Sequence, residues 1–132
     1  LGKIIQEWNA YPVLVVVPNS TITNWVRELE RWAPKLKVVP FFGDARARKC
    51  IIEYELTTFH VIVASYEAFT TGPDFNRVFK KQPRWEVLIV DEGQRLKNNE
   101  SLTFKKLNEL NIMHRVIMTG VSPELIQQRA RH

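Results

Sequence analysis

Two adjacent acids, Asp91 and Glu92, close the apolar run of WEVLIVDEGQ (85–94), and they are the residues of this chain best placed to do chemistry. A strand of this kind is buried, and charge inside a protein is costly. In an open α/β sheet, however, ligands gather at the carboxyl ends of the strands, where a pair of acids is placed for a metal and a water. Nucleotide hydrolysis uses such a pair. One carboxylate holds the Mg²⁺ that neutralises the β- and γ-phosphates, and its neighbour orients or deprotonates the attacking water. A plainer reading fits the same two residues: Asp91 caps the next segment and Glu92 is solvated.

The elements that would position these acids are legible from the patterning. β-Branched apolar runs alternate with amphipathic stretches, as in a parallel sheet with crossover helices. Residues 13–17 form the first expected strand, ended by Pro18, Asn19 and Ser20. Ser20 or Thr21 can cap a helix in which Ile22, Trp25, Leu29 and Trp32 recur at three- and four-residue intervals, and Pro34 ends it. Residues 37–42 read as a second strand, Gly43 and Asp44 as a turn, and 45–56 as a helix with Cys50, Ile51 and Tyr54 inward and a basic outer face. A third strand is expected at 60–64, a helix broken by Gly72 and Pro73 at 65–81, and the acid-tipped fourth strand at 87–90. A short helix at 102–110, a fifth strand at 115–118 and a polar tail at 121–132 complete the reading.

The segment VDEGQRLKNNES (90–101) resembles the second helicase motif, with its extension, of the Swi/Snf-type chromatin-remodelling ATPases in helicase superfamily two. The family writes Asp-Glu-Ala-His or Asp-Glu-Gly-His followed by Arg-Leu-Lys-Asn. Asp91, Glu92, Gly93, Arg95, Leu96, Lys97 and Asn98 match it. Gln94 stands where the family has a histidine that couples the nucleotide site to later motifs; glutamine keeps hydrogen-bonding capacity without a titratable charge.

Other stretches fall in the family's order. VLVVVPNSTITNWVRELERWAP (13–34) is similar to the motif Ia region, which implies that the turn at Pro18, Asn19, Ser20 and Thr21 meets DNA phosphates. HVIVASYEAF (60–69) resembles another DNA-facing loop, with Ser65 and Tyr66 at its turn. HRVIMTG (114–120) is similar to the third motif, whose Thr119 and Gly120 would link hydrolysis to the DNA track. The Asn-Trp and Trp-Ala-Pro pairs are closest to the chromodomain-helicase branch. Leu1, Gly2 and Lys3 look like the end of a phosphate-binding loop, with Gly2 and Lys3 as the nucleotide contacts. The hydroxyl residue that should follow is Ile4, which cannot ligate a metal, and only eight residues, 5–12, stand where the family has a helix of several turns. Either the chain starts with Leu-Gly-Lys by chance or, the preferred reading, the lobe is truncated or spliced at that loop, and the match fades after Gly120.

The resemblance implies an incomplete first RecA-like lobe: α/β, three layers, a parallel sheet with helices on both faces. It further implies ATP and Mg²⁺ as cofactors, held by Gly2, Lys3, Asp91 and Gln94, with Asp91 as metal holder and Asp91 and Glu92 as catalytic residues. Pro18 to Thr21, Ser65, Tyr66, Lys97, Asn98, Thr119 and Gly120 would face DNA. The implied partners are double-stranded DNA or the nucleosome, a second RecA-like lobe and other remodeller subunits, and the implied location is the nucleus. A different class remains open: an inactive lobe that binds a protein or a DNA backbone. A superfamily-two RNA helicase lobe is a third reading, which the wording after Asp91 disfavours.

Composition bounds all three readings. With 132 residues, 45% hydrophobic and 25% charged, the chain is neither disordered nor fibrous and is sized for one core. Its longest unbroken apolar run, 13–17, is far short of the roughly 20 residues of a membrane helix, and no membrane partner is expected. The net charge of +5 permits a polyanion partner without requiring one. Cys50, the single cysteine, fits a reducing compartment. His60, His114 and His132 lack metal-ligand spacing with it, which argues against zinc. Trp25 and Trp32 are expected in the core. Arg46, Arg48 and Lys49 read as a solvated face or as phosphate contacts.

Overall fold

A computed structural model describes residues 10–43, 45–54, 58–70, 75–91 and 102–118. Five parallel strands form one sheet, in the order β2-β3-β1-β4-β5. They are β1 (Val13–Val17), β2 (Val38–Phe41), β3 (Val61–Ser65), β4 (Trp85–Asp91) and β5 (Ile112–Met118). Helix α1 (Ile22–Trp32) follows β1, α2 (Ala45–Tyr54) follows β2, and α3 (Leu102–Asn108) precedes β5. The sheet grows from β1 outward. All five of its residues are fully buried, and it pairs with β3 from Val13↔Val61 to Val17↔Ser65 and with β4 from Val13↔Val87 to Val16↔Val90. A run of valines covered on both faces is what a central parallel strand requires.

Strand alternation divides the interior into two cores. Val13, Val15, Val17, Val61, Val63 and Ile89 face α1 and pack with its Ile22, Trp25 and Leu29. Leu14, Val16, Ile62, Ala64, Leu88 and Val90 face the other way, onto Phe69, Phe75, Phe79 and Leu107. Helical elements thus cover both faces of a parallel sheet, the three-layer arrangement expected from the sequence.

Several elements differ from expectation in detail. The stretch expected as one broken helix is a 3₁₀ turn at Tyr66–Phe69 and a π-helical turn at Phe75–Phe79. These short turns bring Phe69 and Phe79 within 4.4 Å, ring centre to ring centre, with Phe41 edge-on to Phe79 at 5.5 Å. Strand β4 starts at Trp85 and β5 at Ile112, earlier than apolar runs alone indicate, because these two residues pair with each other across the sheet. Cys50 is exposed, contrary to its expected inward position. Among the described side chains of α2, Ile51 and Ile52 pack inward, and Arg48, one turn before them, is half-buried and donates from Nη1 to the Gly43 carbonyl at 2.8 Å; the side chain of Tyr54, also expected inward, lies outside the described residues. The i, i+3, i+4 stripe 48–51–52 rotates Cys50 out. Gly43 turns the chain ahead of α2 with φ of +102°, in the left-handed region, and a Cβ there would meet the Ala47 Cβ at 3.0 Å.

Candidate functional site

The carboxyl edge of the sheet is assembled from the ends of β1, β3 and β4. After Val17 the chain makes a single 3₁₀ turn, Asn19–Thr21, closed by the Thr21 N–H and the Thr21 hydroxyl, both donating to the Pro18 carbonyl at 2.9 Å. Helix α1 continues directly from that turn. Asn19 and Ser20 are exposed, while Pro18 and Thr21 are half-buried. After β3, Ser65 is 6% exposed and Tyr66 opens the next 3₁₀ turn. Strand β4, on the other side of β1 from β3, ends on Asp91, only 5% exposed.

Asp91 is anchored twice. Its Oδ2 accepts the indole N–H of Trp25 at 3.0 Å in a buried contact. Its main-chain carbonyl accepts the Tyr66 hydroxyl. Tyr66 is itself held from a third direction, since the Thr103 hydroxyl of α3 donates to the Tyr66 carbonyl at 3.3 Å. A buried carboxylate needs donors to remain charged, and a buried indole N–H needs an acceptor. Each meets the other's requirement. Among the described residues no buried side-chain nitrogen or oxygen lacks a partner.

Of the residues singled out in the sequence, the structure brings Asp91, Ser65, Tyr66 and residues 18–21 to one edge of the sheet. Gly2, Lys3, Glu92, Gln94, Lys97, Asn98, Thr119 and Gly120 lie outside the described residues. Trp25 is where sequence reasoning stopped short. It is in the core as expected, at 2% exposure, but its N–H also serves the site. The signal was available: a buried tryptophan must find an acceptor, and Asp91 lies two residues beyond Ile89, on the same strand face that packs against α1.

Comparison with known proteins follows the geometry closely. Residues 2–123 match the SNF2-related domain. The chain is 35% identical to the CHD3-type chromatin-remodeling factor PICKLE of Arabidopsis thaliana, over 91% of its own length and 11% of PICKLE's. It is 39% identical to a zebrafish (Danio rerio) protein described as a SWI/SNF-related matrix-associated actin-dependent regulator of chromatin, subfamily A, containing DEAD/H box 1A, over 91% of this chain and 13% of that protein. Among solved structures it superimposes on the Sulfolobus solfataricus SWI2/SNF2 ATPase core in complex with dsDNA with a TM-score of 0.70 and 29% identity, covering 92% of this chain and 24% of that one. A parallel RecA-like sheet with an acid at the end of β4 is therefore that of the SWI2/SNF2 class of ATPase cores. The chain belongs to the SNF2-related domain family.

Proposed function

We propose that this chain is the first, ATP-binding RecA-like lobe of a nuclear DNA translocase that remodels nucleosomes. The observation that carries the reading is Asp91: a nearly buried carboxylate held at the carboxyl end of β4, beside the turns that end β1 and β3. Mg²⁺ in nucleotide sites takes one or two carboxylates together with phosphate and water oxygens, so a single strand-end aspartate fits it. When bound, that ion neutralises charge on the β- and γ-phosphates. Asp91 would hold it, Glu92 would orient the attacking water and accept its proton, Gly2 and Lys3 would approach the phosphates, and Gln94 would contribute a hydrogen bond.

The turn at residues 18–21, with Ser65, Tyr66, Lys97, Asn98, Thr119 and Gly120, faces the DNA backbone. Such contacts are blind to sequence, because phosphates carry no base information. A second lobe closes on this one, and further remodeller subunits act with it. The chain spans 11% and 13% of the two relatives described above, so these roles concern a larger assembly than the 132 residues themselves.

One observation favours a second reading. Ile4 stands where the resemblance calls for a hydroxyl ligand. A lobe with that loop would bind DNA or protein without hydrolysing ATP. Glu92→Gln and Asp91→Ala in the full-length protein separate the two. In a motor, Glu92→Gln keeps Mg·ATP binding and loses turnover, whereas Asp91→Ala also loses metal-dependent binding. Near-wild-type hydrolysis by Glu92→Gln overturns the assignment, and absence of ATP binding in the wild type establishes the binding module.

A further inference from the structure

The geometry points to Asp91 as the junction through which two turns at the edge of the sheet act on the nucleotide site, with Trp25 and Tyr66 as the positioning residues that connect them. This inference rests on the motor reading given above. It adds the route by which occupancy of the turns by DNA and occupancy of the site by nucleotide become linked.

Three segments far apart in sequence converge on one residue. Trp25 lies in the first turn of α1, which begins at Ile22 directly after the Asn19–Thr21 turn. The two bonds from Thr21 to the Pro18 carbonyl fasten that turn to the helix start. A shift of residues 18–21 therefore carries the indole with it, and the indole N–H is bonded to Asp91 Oδ2 at 3.0 Å. From the other side, Tyr66 begins the turn that follows Ser65, and its hydroxyl is bonded to the Asp91 carbonyl. One turn thus holds the side chain of Asp91 and the other holds its peptide.

The bond to the carboxylate is the stronger class of hydrogen bond because its acceptor is charged, and burial of both partners keeps water from substituting for it. A close-packed interior does not stretch gradually. Displacing a 2% exposed indole either moves the carboxylate or breaks the bond, so the end of β4 responds to the turn in discrete steps. Linkage is reciprocal: if DNA at the turns favours one placement of Asp91, nucleotide that requires the same placement favours DNA to the same factor.

The test measures that factor directly in the full-length protein, without turnover. Duplex DNA affinity is determined with and without Mg²⁺ and a non-hydrolysable ATP analogue, and analogue affinity is determined with and without DNA. Wild type is expected to show a coupling of about fivefold or more, equal in the two directions. Trp25→Phe keeps an aromatic ring in the core, removes the N–H donor and leaves a small void where the indole was larger. It should leave DNA affinity without nucleotide within about a factor of two while the coupling falls close to one, at a melting temperature that still reports a folded protein. Tyr66→Phe deletes only the hydroxyl and should lower the coupling as well; because the motor reading also places Tyr66 against DNA, its coupling is taken as the ratio of its own DNA affinities with and without the analogue, and if Trp25→Phe does not fold, that ratio decides. Full coupling retained in a folded variant overturns the inference, as does a wild type that binds both ligands independently. A wild type that binds neither overturns the motor reading and this inference with it.

Discussion

Nδ1 of His60 accepts the main-chain N–H of Lys37 at 2.8 Å, so the ring that precedes β3 holds the residue that precedes β2. The Lys37 carbonyl in turn accepts the N–H groups of His60 at 3.0 Å and Val61 at 3.1 Å. The imidazole also packs edge-on against Tyr11, with ring centres 4.6 Å apart. His60 is a clasp between the amino ends of an edge strand and its neighbour. Its Nδ1 is spent on the backbone, which gives the ring a structural role.

His60→Ala is accordingly expected to lower unfolding stability by about 1 kcal/mol, the worth of one side-chain hydrogen bond together with part of a ring contact. His60→Asn, whose side-chain oxygen can take over the acceptor role, should recover part of that loss. Denaturant titrations of the three proteins decide the matter. Equal stability of wild type and His60→Ala would show that the clasp contributes nothing.

Trp85 supplies the largest test of the core. It is completely buried, its N–H donates to the Phe79 carbonyl at 3.0 Å, and its ring lies 6.0 Å from that of Phe59. Trp85→Ala should cost about 3–5 kcal/mol through the cavity it leaves. Trp85→Phe should cost about 1–3 kcal/mol, since the Phe79 carbonyl loses its donor inside the core. A smaller loss for Trp85→Ala than for Trp85→Phe in urea unfolding would contradict this packing.

These residues also show what the sequence could reveal. Strand β1 was legible to the residue, because five consecutive valine and leucine side chains bounded by proline have one stable solution, a strand covered on both faces. The carboxyl-edge position of Asp91 followed from the same rule applied to β4. The rotation of α2 did not follow, because Cys50 and Ile52 are both apolar by composition and only packing against the core separates them. The turns at Tyr66–Phe69 and Phe75–Phe79 escaped for a related reason. The breakers Gly72 and Pro73 fall between the two turns, as expected, but the 3₁₀ and π character of the turns accompanies aromatic packing between Phe69, Phe75 and Phe79 that local propensity does not reveal. Tertiary contacts outweigh local propensity where propensities are nearly balanced. The bond from Trp25 to Asp91 spans 66 positions: alternation along β4 puts Asp91 on the face toward α1, but the spacing of residues does not choose which side chain of α1 meets it.

The 132-residue chain by itself is expected to hydrolyse no ATP. Ile4 brings no hydroxyl to the metal. The resemblance places a catalytic arginine finger in the second lobe, and such an arginine alone is worth roughly 10³ or more in rate in phosphoryl transfer. Phosphate release measured with and without duplex DNA is the check, and DNA-stimulated release that disappears in Asp91→Asn would show the single lobe to be sufficient.

Binding of the isolated chain to DNA should be weak, sensitive to salt and indifferent to sequence. Its net charge of +5 attracts phosphates, and the exposed Asn19 and Ser20 offer polar groups at the turn that resembles a phosphate-contacting motif. One lobe of a two-lobed clamp makes only a few such contacts. Each phosphate neutralised by a cation adds close to one unit to the slope of log affinity against log salt, so a slope of about two to four is expected, with a dissociation constant of roughly 10⁻⁴ to 10⁻⁶ M or weaker at physiological salt. Arg46→Glu with Lys49→Glu, both exposed on α2, separates a general field from a defined track. If the basic face of α2 is only solvated, the pair lowers affinity modestly through net charge, and if it contacts the backbone, the slope falls by about two units. Anisotropy titrations of equal-length duplexes of different sequence, at several salt concentrations, give both quantities. Strong preference for one sequence, or affinity that ignores salt, would show that the basic surface does not serve the DNA backbone and would favour the protein-binding reading of this lobe.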